Sequence, residues 1–294
     1  MYLRSIMGDL PRNEVVVTFY GVRGSTPCSC PSLNRYGGNT SCVTVETVDA
    51  DPIVLDLGTG LRNWGRSIEA LGSVDVHALV THLHWDHVQG LPFFSPLQHP
   101  QTSLNVYGPG DHHGTLGESF TRFMTPPFFP ICTADLPAEV NFHDALDCDF
   151  EIAGAQVMAR PVPHTGPTAG YRIERNGVSI AYIPDHQEPV DDPTRVADSV
   201  LELCAGVDVL IHDSQLRRDE FAAKSTWGHC TPEYAVEVAR QAGVKQLVLF
   251  HHDPGRDDDA VDHLTGFARE IAADSGIDVI AAAEGVKLTL SAEI

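Results

Sequence analysis

Seven residues, "THLHWDH" (81–87), limit what this chain can fold into more than any other stretch. Three imidazoles and a carboxylate crowd together at the C-terminal end of an apolar run, "VHALVTH" (76–82), which reads as a buried strand. His82 and His84 are two apart, so on an extended strand end they project to the same side. Asp86 and His87 follow in a tight turn and can face a second point nearby. A single ion cannot easily take all four groups from so short a loop, whereas two ions can share them. Imidazole plus carboxylate suits zinc, with manganese and iron as the other metals. Such a pair of sites needs further ligands from rigid positions, including a carboxylate to lie between the ions. His164 in "RPVPHTG" and Asp185 in "IAYIPDH" each follow an apolar run, and His251 and His252 close "QLVLFHH". The last two would point to opposite faces if the strand continued.

The rest of the chain supplies strands to carry such ends. "EVVVTFYG" (14–21), "SCVTVET" (41–47), "PIVLDLG" (52–58) and "SLNVYGP" (103–109) are β-branched or apolar and end at turn formers. "GLRNWGRSIEALG" (60–72) has helical spacing, with Leu61, Trp64, Ile68 and Leu71 on one side. "LPFFSPLQHP" and "TRFMTPPFFPI" are rich in proline and aromatics and read as loops or a lid. From about 149 to 185 the pattern is strand, turn, strand, with "ERNGVS" (174–179) a hairpin turn. Helices over 193–204, 231–243 and 258–274 alternate with strands over 207–214 and 246–252. Two mixed sheets with helices outside, an αββα sandwich in one domain over 1–294, are the expected architecture.

Composition narrows the ligand. The formal charge is −21 with only three lysines, a surface that repels polyanions. Long nucleic acid is disfavoured, while a small anion remains admissible where dications reverse the local field. No apolar run is long enough to span a bilayer, and "MYLRSIMGDLPRNE" has no apolar secretory core, so the expectation is a cytoplasmic protein. Seven cysteines have no disulfide-framework spacing and read mostly as reduced core residues. Cys28, Cys30 and Cys42 could together hold a structural metal, though no fourth ligand is evident; buried or loop thiols are the plainer reading.

The HxHxDH motif, with His164, Asp185 and His251 in order downstream, resembles the metallo-β-lactamase-fold hydrolases. The resemblance implies one metal site of His82, His84 and His164 and another of Asp86, His87 and His251, with Asp185 bridging. "LVLFH" looks like that family's strand end, which favours His251 over His252. "HDSQLRRDEFAAKSTWGHCTPEYAVEVARQAGVKQLVLFHH" (212–252) is similar to the RNase Z segment. His229 in "GHCT" stands where that family has its catalytic histidine, and Asp213 stands where it has glutamate. "YGVRGSTP" with "RYGGNTSC" resembles the N-terminal region of RNase Z-like phosphodiesterases. RNase Z carries a long tRNA-binding arm between the positions of His164 and Asp185. Here those residues are 21 apart, which leaves no room for it.

The expected activity is hydrolysis of a small phosphodiester, a cyclic nucleotide above all, by a metal-activated hydroxide. Asp86 would steer the water, and His229, held by Asp213, would protonate the leaving oxygen. A tRNA 3′-processing nuclease, a thiolesterase or lactonase, and a non-catalytic nucleotide-binding module are the competing readings. By analogy with related phosphodiesterases the chain is expected to be a homodimer. A nucleobase could pack on the aromatics at 93–94 or 127–129, though ordinary loop packing is the plainer reading for any one of them. Arg23 and Arg35 read as structural or solvated, His112 and His113 as a solvated loop, and "RDDDAVD" (256–262) as an acidic helix start. His186 and His212 lie beside proposed functional acids.

Overall fold

The computed structural model describes residues 11–292; the first ten residues, read above for a secretory core, lie outside the described residues. Its strands form two seven-stranded mixed sheets. One runs β14-β1-β2-β3-β4-β5-β6, from Lys287–Leu290 (β14) through Val15–Gly21 (β1), Cys42–Glu46 (β2), Ile53–Leu55 (β3), Asp75–Leu79 (β4) and Ser103–Gly108 (β5) to Glu139–Asp144 (β6). The other runs β13-β12-β11-β10-β9-β8-β7, from Asp278–Ala281 (β13) through Gln246–Phe250 (β12), Val209–Asp213 (β11), Val178–Ile183 (β10), Ala169–Arg175 (β9) and Ala155–Pro161 (β8) to Cys148–Ile152 (β7).

Three apolar layers hold the sandwich, because each sheet buries both faces. Val17, Phe19, Val43 and Leu55 from the first sheet meet Val157, Ile180, Ile211 and Phe250 from the second. The first sheet's outer face is covered by helix α1 (Leu61–Ile68), the single turn α2 (Trp85–Val88) and α3 (Leu116–Phe123). The second is covered by α4 (Asp198–Cys204), α6 (Pro232–Ala242) and α7 (Asp258–Ala272), with α5 (Arg218–Lys224) beside them. The expected αββα arrangement is thus present.

Several local expectations change. α1 ends at Ile68, and Leu71 falls in a short 3-10 turn. α4 begins five residues late. α3 and α5 occupy stretches not read as helical, and α3 takes in the first residues of the supposed loop "TRFMTPPFFPI". Its start was nonetheless encoded: Thr115 accepts from the Glu118 N–H while Glu118 reaches back to the Thr115 N–H, a capping box. The 174–179 turn has Asn176 and Gly177 at φ +52° and +76°, as a tight two-residue hairpin requires. Only Cys42, Cys204 and Cys230 of the seven cysteines are buried, so most are not core residues. No helix among the described residues is long and apolar enough to cross a membrane.

Strands β3 to β6 run parallel, as do β10 to β13, so each sheet presents a row of strand C-termini along one edge. Chain leaving such ends need not continue a ladder, so its side chains can converge on one point. Asp56 follows β3, His82 follows β4, Asp185 follows β10, Asp213 ends β11 and His251 follows β12.

Candidate metal centre

The opening motif is not a strand end. β4 stops at Leu79, three residues before His82, and His84 is the N-cap of α2, which carries Asp86 and His87. His82 and His84 still meet, because the loop is pinned: Thr81 O accepts from Ala169 N–H at 2.8 Å, and Tyr171 OH donates to Val80 O at 2.7 Å.

Two clusters result. His82 Nε2 is 2.8 Å from His84 Nδ1, which is 3.3 Å from His164 Nε2. Asp185 Oδ2 lies 3.8 Å from His82 Nε2 and 3.6 Å from His164 Nε2. In the second cluster, Asp86 Oδ2 is 3.3 Å from His87 Nε2 and 3.1 Å from His251 Nε2. Asp185 Oδ1 is 3.1 Å from the same His87 nitrogen and 3.3 Å from that of His251. One carboxylate therefore faces both clusters, one oxygen to each.

His251 and His252 part company as a continued strand would separate them, but by a different route. His251 leaves β12 at φ +59° and turns into the site. His252 points away, with Nε2 donating to Ala282 O at 2.9 Å.

Partners behind the imidazoles fix which nitrogens are bare. A carbonyl or carboxylate oxygen only accepts, so the ring nitrogen facing it carries the proton. His164 Nδ1 donates to Gly228 O at 2.7 Å, His87 Nδ1 to Asp56 Oδ2 at 2.7 Å, and His251 Nδ1 to Gln215 Oε1 at 2.8 Å. With Nδ1 committed as a donor, these rings turn Nε2 toward each other and toward carboxylate oxygens. Buried Asp185 Oδ1 has no hydrogen-bond partner. Converging lone pairs and an orphaned carboxylate oxygen repel unless a cation lies among them, so the donor set fits divalent metal ions.

The electrostatics agree. Burial is the main force holding His82, His84 and His164 below the ordinary imidazole range, in the neutral form that ligates metal. Burial would also push His87 down, but Asp86, Asp185 and Asp56 more than reverse it and draw positive charge to the second cluster. Asp86 and Asp185 are held well below the carboxylate range, because neighbouring imidazoles outweigh the burial that would raise them.

Asp56, Ser25, Thr81, Gln187, Glu188 and Gln215 escaped the sequence reading. Asp56 had the clearest signal, an acid closing the run "PIVLDLG". It is buried and also accepts from Thr81 N–H at 2.8 Å and Tyr182 OH at 2.9 Å. Asp56→Asn should weaken metal binding about 10- to 100-fold, measured by competition with a chromogenic chelator. Unchanged affinity would mean that Asp56 serves only the fold.

His229 lies against the second cluster. Its Nδ1 donates to Asp213 Oδ2 at 3.0 Å, so the shorter acid makes the contact directly. Its ring lines a cleft of about 430 Å³ with Ser25, His84, Asp86 and Asp185. Burial pushes His229 down, but Asp213, and then Asp185 and Asp86, outweigh it and carry its pKa up to about 9. His229 can also join Asp185 and His251 as a ligand-like trio, so the geometry admits two uses for its ring. The loop around it is laced to the Asp185 loop. Gly228 N–H donates to Gln187 Oε1 at 2.9 Å, and buried Glu188 accepts from Thr231 N–H and Oγ1–H while pairing with Arg218. Gly228 sits at φ +91°, and a Cβ there would fall 2.3 Å from His164 Nδ1. Gly228→Ala should strain this turn, displace His164 and lower bound metal, with activity falling in parallel. Full metal occupancy and rate in that variant would contradict this.

Other expectations resolve plainly. Arg23 is fully buried and donates to Gly37 O and Arg256 O, a structural role. Arg35 pairs with Asp259 and Asp262 on α7, whose N-cap is Asp257, and His112 and His113 are exposed. His186 Nδ1 is 3.0 Å from His212 Nε2 behind Asp213, outside both clusters. Among the described residues no candidate metal group contains a cysteine, so Cys28, Cys30 and Cys42 do not form one.

Known proteins share this frame. The family described as "Beta-lactamase superfamily domain" matches residues 54–252, a span that runs from β3 to His252. Ribonuclease Z of Porphyromonas gingivalis is 25% identical over 248 residues, covering 68% of this chain and 78% of its own. The metallo-β-lactamase fold protein YhfI from Bacillus subtilis superposes with a TM-score of 0.70 at 17% identity, over 94% of this chain and 99% of its own. A diphosphatase of the PhnP family gives 0.67 at 20%, over 96% and 99%. The chain belongs to the β-lactamase superfamily and is a hydrolase of the metallo-β-lactamase fold.

Proposed function

We propose that the chain is a dinuclear metal-dependent phosphodiesterase that hydrolyses a small phosphodiester, with cyclic nucleotides as the substrate class. The observation that carries this reading is His229, anchored by Asp213 at 3.0 Å on the wall of the cleft beside Asp86 and Asp185. A proton donor at that place is needed when the leaving group is a basic alkoxide, as in a phosphodiester. A thiolate departs without one, which speaks against a thiolesterase.

His82, His84 and His164 would hold one ion and Asp86, His87 and His251 the other, with Asp185 between them. Zinc suits this donor set, with manganese or iron as the alternatives. Bound divalent ions supply an activated water and charge neutralisation at the phosphoryl oxygens. The side chains do the rest. Asp86, whose Oδ2 accepts from Ser25 N–H at 2.7 Å, would accept a hydrogen bond from the attacking water. His229 hands its proton to the departing oxygen. Asp213 keeps the His229 ring in the Nδ1–H form and steadies its cation.

A small substrate is favoured because His164 and Asp185, 21 positions apart, have only the β9–β10 hairpin between them, and because the chain carries −21 formal charge. The likeness to ribonuclease Z supports one second reading, a tRNA 3′-processing nuclease. The test is elemental metal analysis followed by turnover of 2′,3′- and 3′,5′-cyclic nucleotides, bis-nitrophenyl phosphate and a pre-tRNA, with and without chelator. Cyclic diester hydrolysis that chelator removes and zinc or manganese restores is the expected result. Cleavage of pre-tRNA alone would favour the second reading, and no diester turnover by metal-loaded protein would sink both.

A further inference from the structure

Beside the catalytic cleft lies a larger cavity, of about 630 Å³, that no step of the proposed hydrolysis uses. The two share Leu83 and Trp85, so a group seated in the cavity can be joined covalently to one reacting in the cleft. Its wall is ring-rich: Trp85 from α2, Phe93 after it, Phe123 at the end of α3, and Phe128 and Phe129 from the segment that follows. Trp85, Phe93 and Phe128 are 74%, 58% and 84% exposed. Large apolar side chains so open to water, grouped around one concavity, mark a binding surface more often than a packing accident. Phe94 is not among them, since it is buried and stacked on Trp64 at 5.2 Å.

Phe93 and Phe129 stand edge to face, 6.1 Å between centroids, so their rings bracket the cavity at an angle and do not close it. The polar side chains on the wall include Asp111 and Arg122, which pair with each other at the rim. Arg122 is also held by Ser119 Oγ at 2.9 Å. An acceptor and a forked donor side by side, on one cavity wall with aromatic rings, match a flat ring that has both hydrogen-bonding edges and π faces. An alkyl chain would use neither the pair nor the faces.

We propose that this cavity is the specificity subsite of the enzyme, and that it takes the nucleobase of the diester whose phosphorus reacts in the cleft. Phe93 and Phe128 are the stacking platform, and Arg122 with Asp111 reads the base edge. This rests on the phosphodiesterase reading for the identity of the reacting group. It does not rest on it for the occupant, because base binding can be measured without turnover.

The test compares adenosine and guanosine 2′,3′-cyclic phosphates with the 2′,3′-cyclic phosphate of 1-O-methylribose, which has the same phosphorus and no base. Stacking contributions to nucleic-acid binding predict that metal-loaded wild type prefers the base-bearing substrates by roughly 10- to 100-fold in kcat/KM, mostly through KM. In Phe128→Ala and Phe93→Ala that ratio should fall toward 1, and Phe128→Trp should restore it. Both phenylalanines are exposed, so truncation should leave the thermal midpoint near that of the wild type. In parallel, adenosine 5′-monophosphate should quench tryptophan fluorescence in wild type, less so in Phe128→Ala and not in Trp85→Phe.

A substrate ratio that survives both alanine variants would overturn the proposal. So would stronger turnover of an octyl phosphodiester than of either nucleotide, which would make the cavity an alkyl site. If no diester is hydrolysed but quenching by the nucleotide still depends on Phe128, the base site stands and the reaction assignment fails. If neither turnover nor quenching is seen, the base site fails as well.

Discussion

Asp185→Ala should lose metal from both halves of the site at once and lower turnover on the order of 10³-fold or more. Asp185 alone faces both clusters: Oδ2 lies within 3.6–3.8 Å of His164 and His82, and Oδ1 within 3.1–3.3 Å of His87 and His251. Its removal also takes away a buried anion that helps hold His87 in its raised range. Three imidazoles would remain in one half, and two imidazoles with Asp86 in the other, with nothing between. His84→Ala is the informative contrast, because His84 belongs to the first cluster and is the exposed member of it. It should lower occupancy of one ion more than the other. Metal per chain by elemental analysis, with circular dichroism to check folding, separates the cases. An Asp185→Ala protein that keeps two ions and its rate would refute the bridging role.

His229→Ala should behave in the opposite way, keeping its metal and losing its chemistry. For a diester with an alkoxide leaving group the expected drop in kcat is about 10²- to 10⁴-fold, the usual worth of a positioned general acid. For bis-nitrophenyl phosphate the drop should be less than about tenfold, because nitrophenolate leaves without a proton. The contrast matters because the ring of His229 can also be counted with Asp185 and His251 as a ligand trio. Equal losses on both substrates, together with lost metal, would make His229 a ligand. Asp213→Asn should follow His229→Ala at smaller amplitude, since the amide still offers an oxygen to His229 Nδ1 but no longer steadies its cation. Asp213 also accepts from the N–H groups of His186 and Gln215, so the geometry of this variant needs checking by thermal midpoint.

How much of the site could be seen beforehand depended on sequence distance. Within 81–87, spacing alone announced ligands, because four such groups in seven residues have few other uses. His164, Asp185 and His251 were visible as polar residues closing apolar runs, and their grouping came from resemblance. Asp56 and Gln215 were not singled out. Each orients an imidazole from 31 and 36 residues away, and no local pattern marks an acid or amide as the partner of a distant ring. α3 was missed for a different reason. Its capping box is present, but its last three residues lie in the proline- and aromatic-rich stretch beginning at Thr121, which reads as loop.

By itself the sequence determined the alternation of strands and helices, the layering that follows from burying both faces of each sheet, and a dense metal-binding motif. These are local properties, set by periodicity, by turn residues and by ligand chemistry. Tertiary structure alone decided where the lone pairs point. His251 enters the site and His252 leaves it because the chain turns at φ +59° after β12. Asp185 faces two clusters because two separate sheets bring their strand ends to one edge. The aromatic cavity also exists only in three dimensions. Trp85 and Phe128 are 43 residues apart in sequence, and they share a wall because the fold brings α2 and the segment after α3 to one cavity.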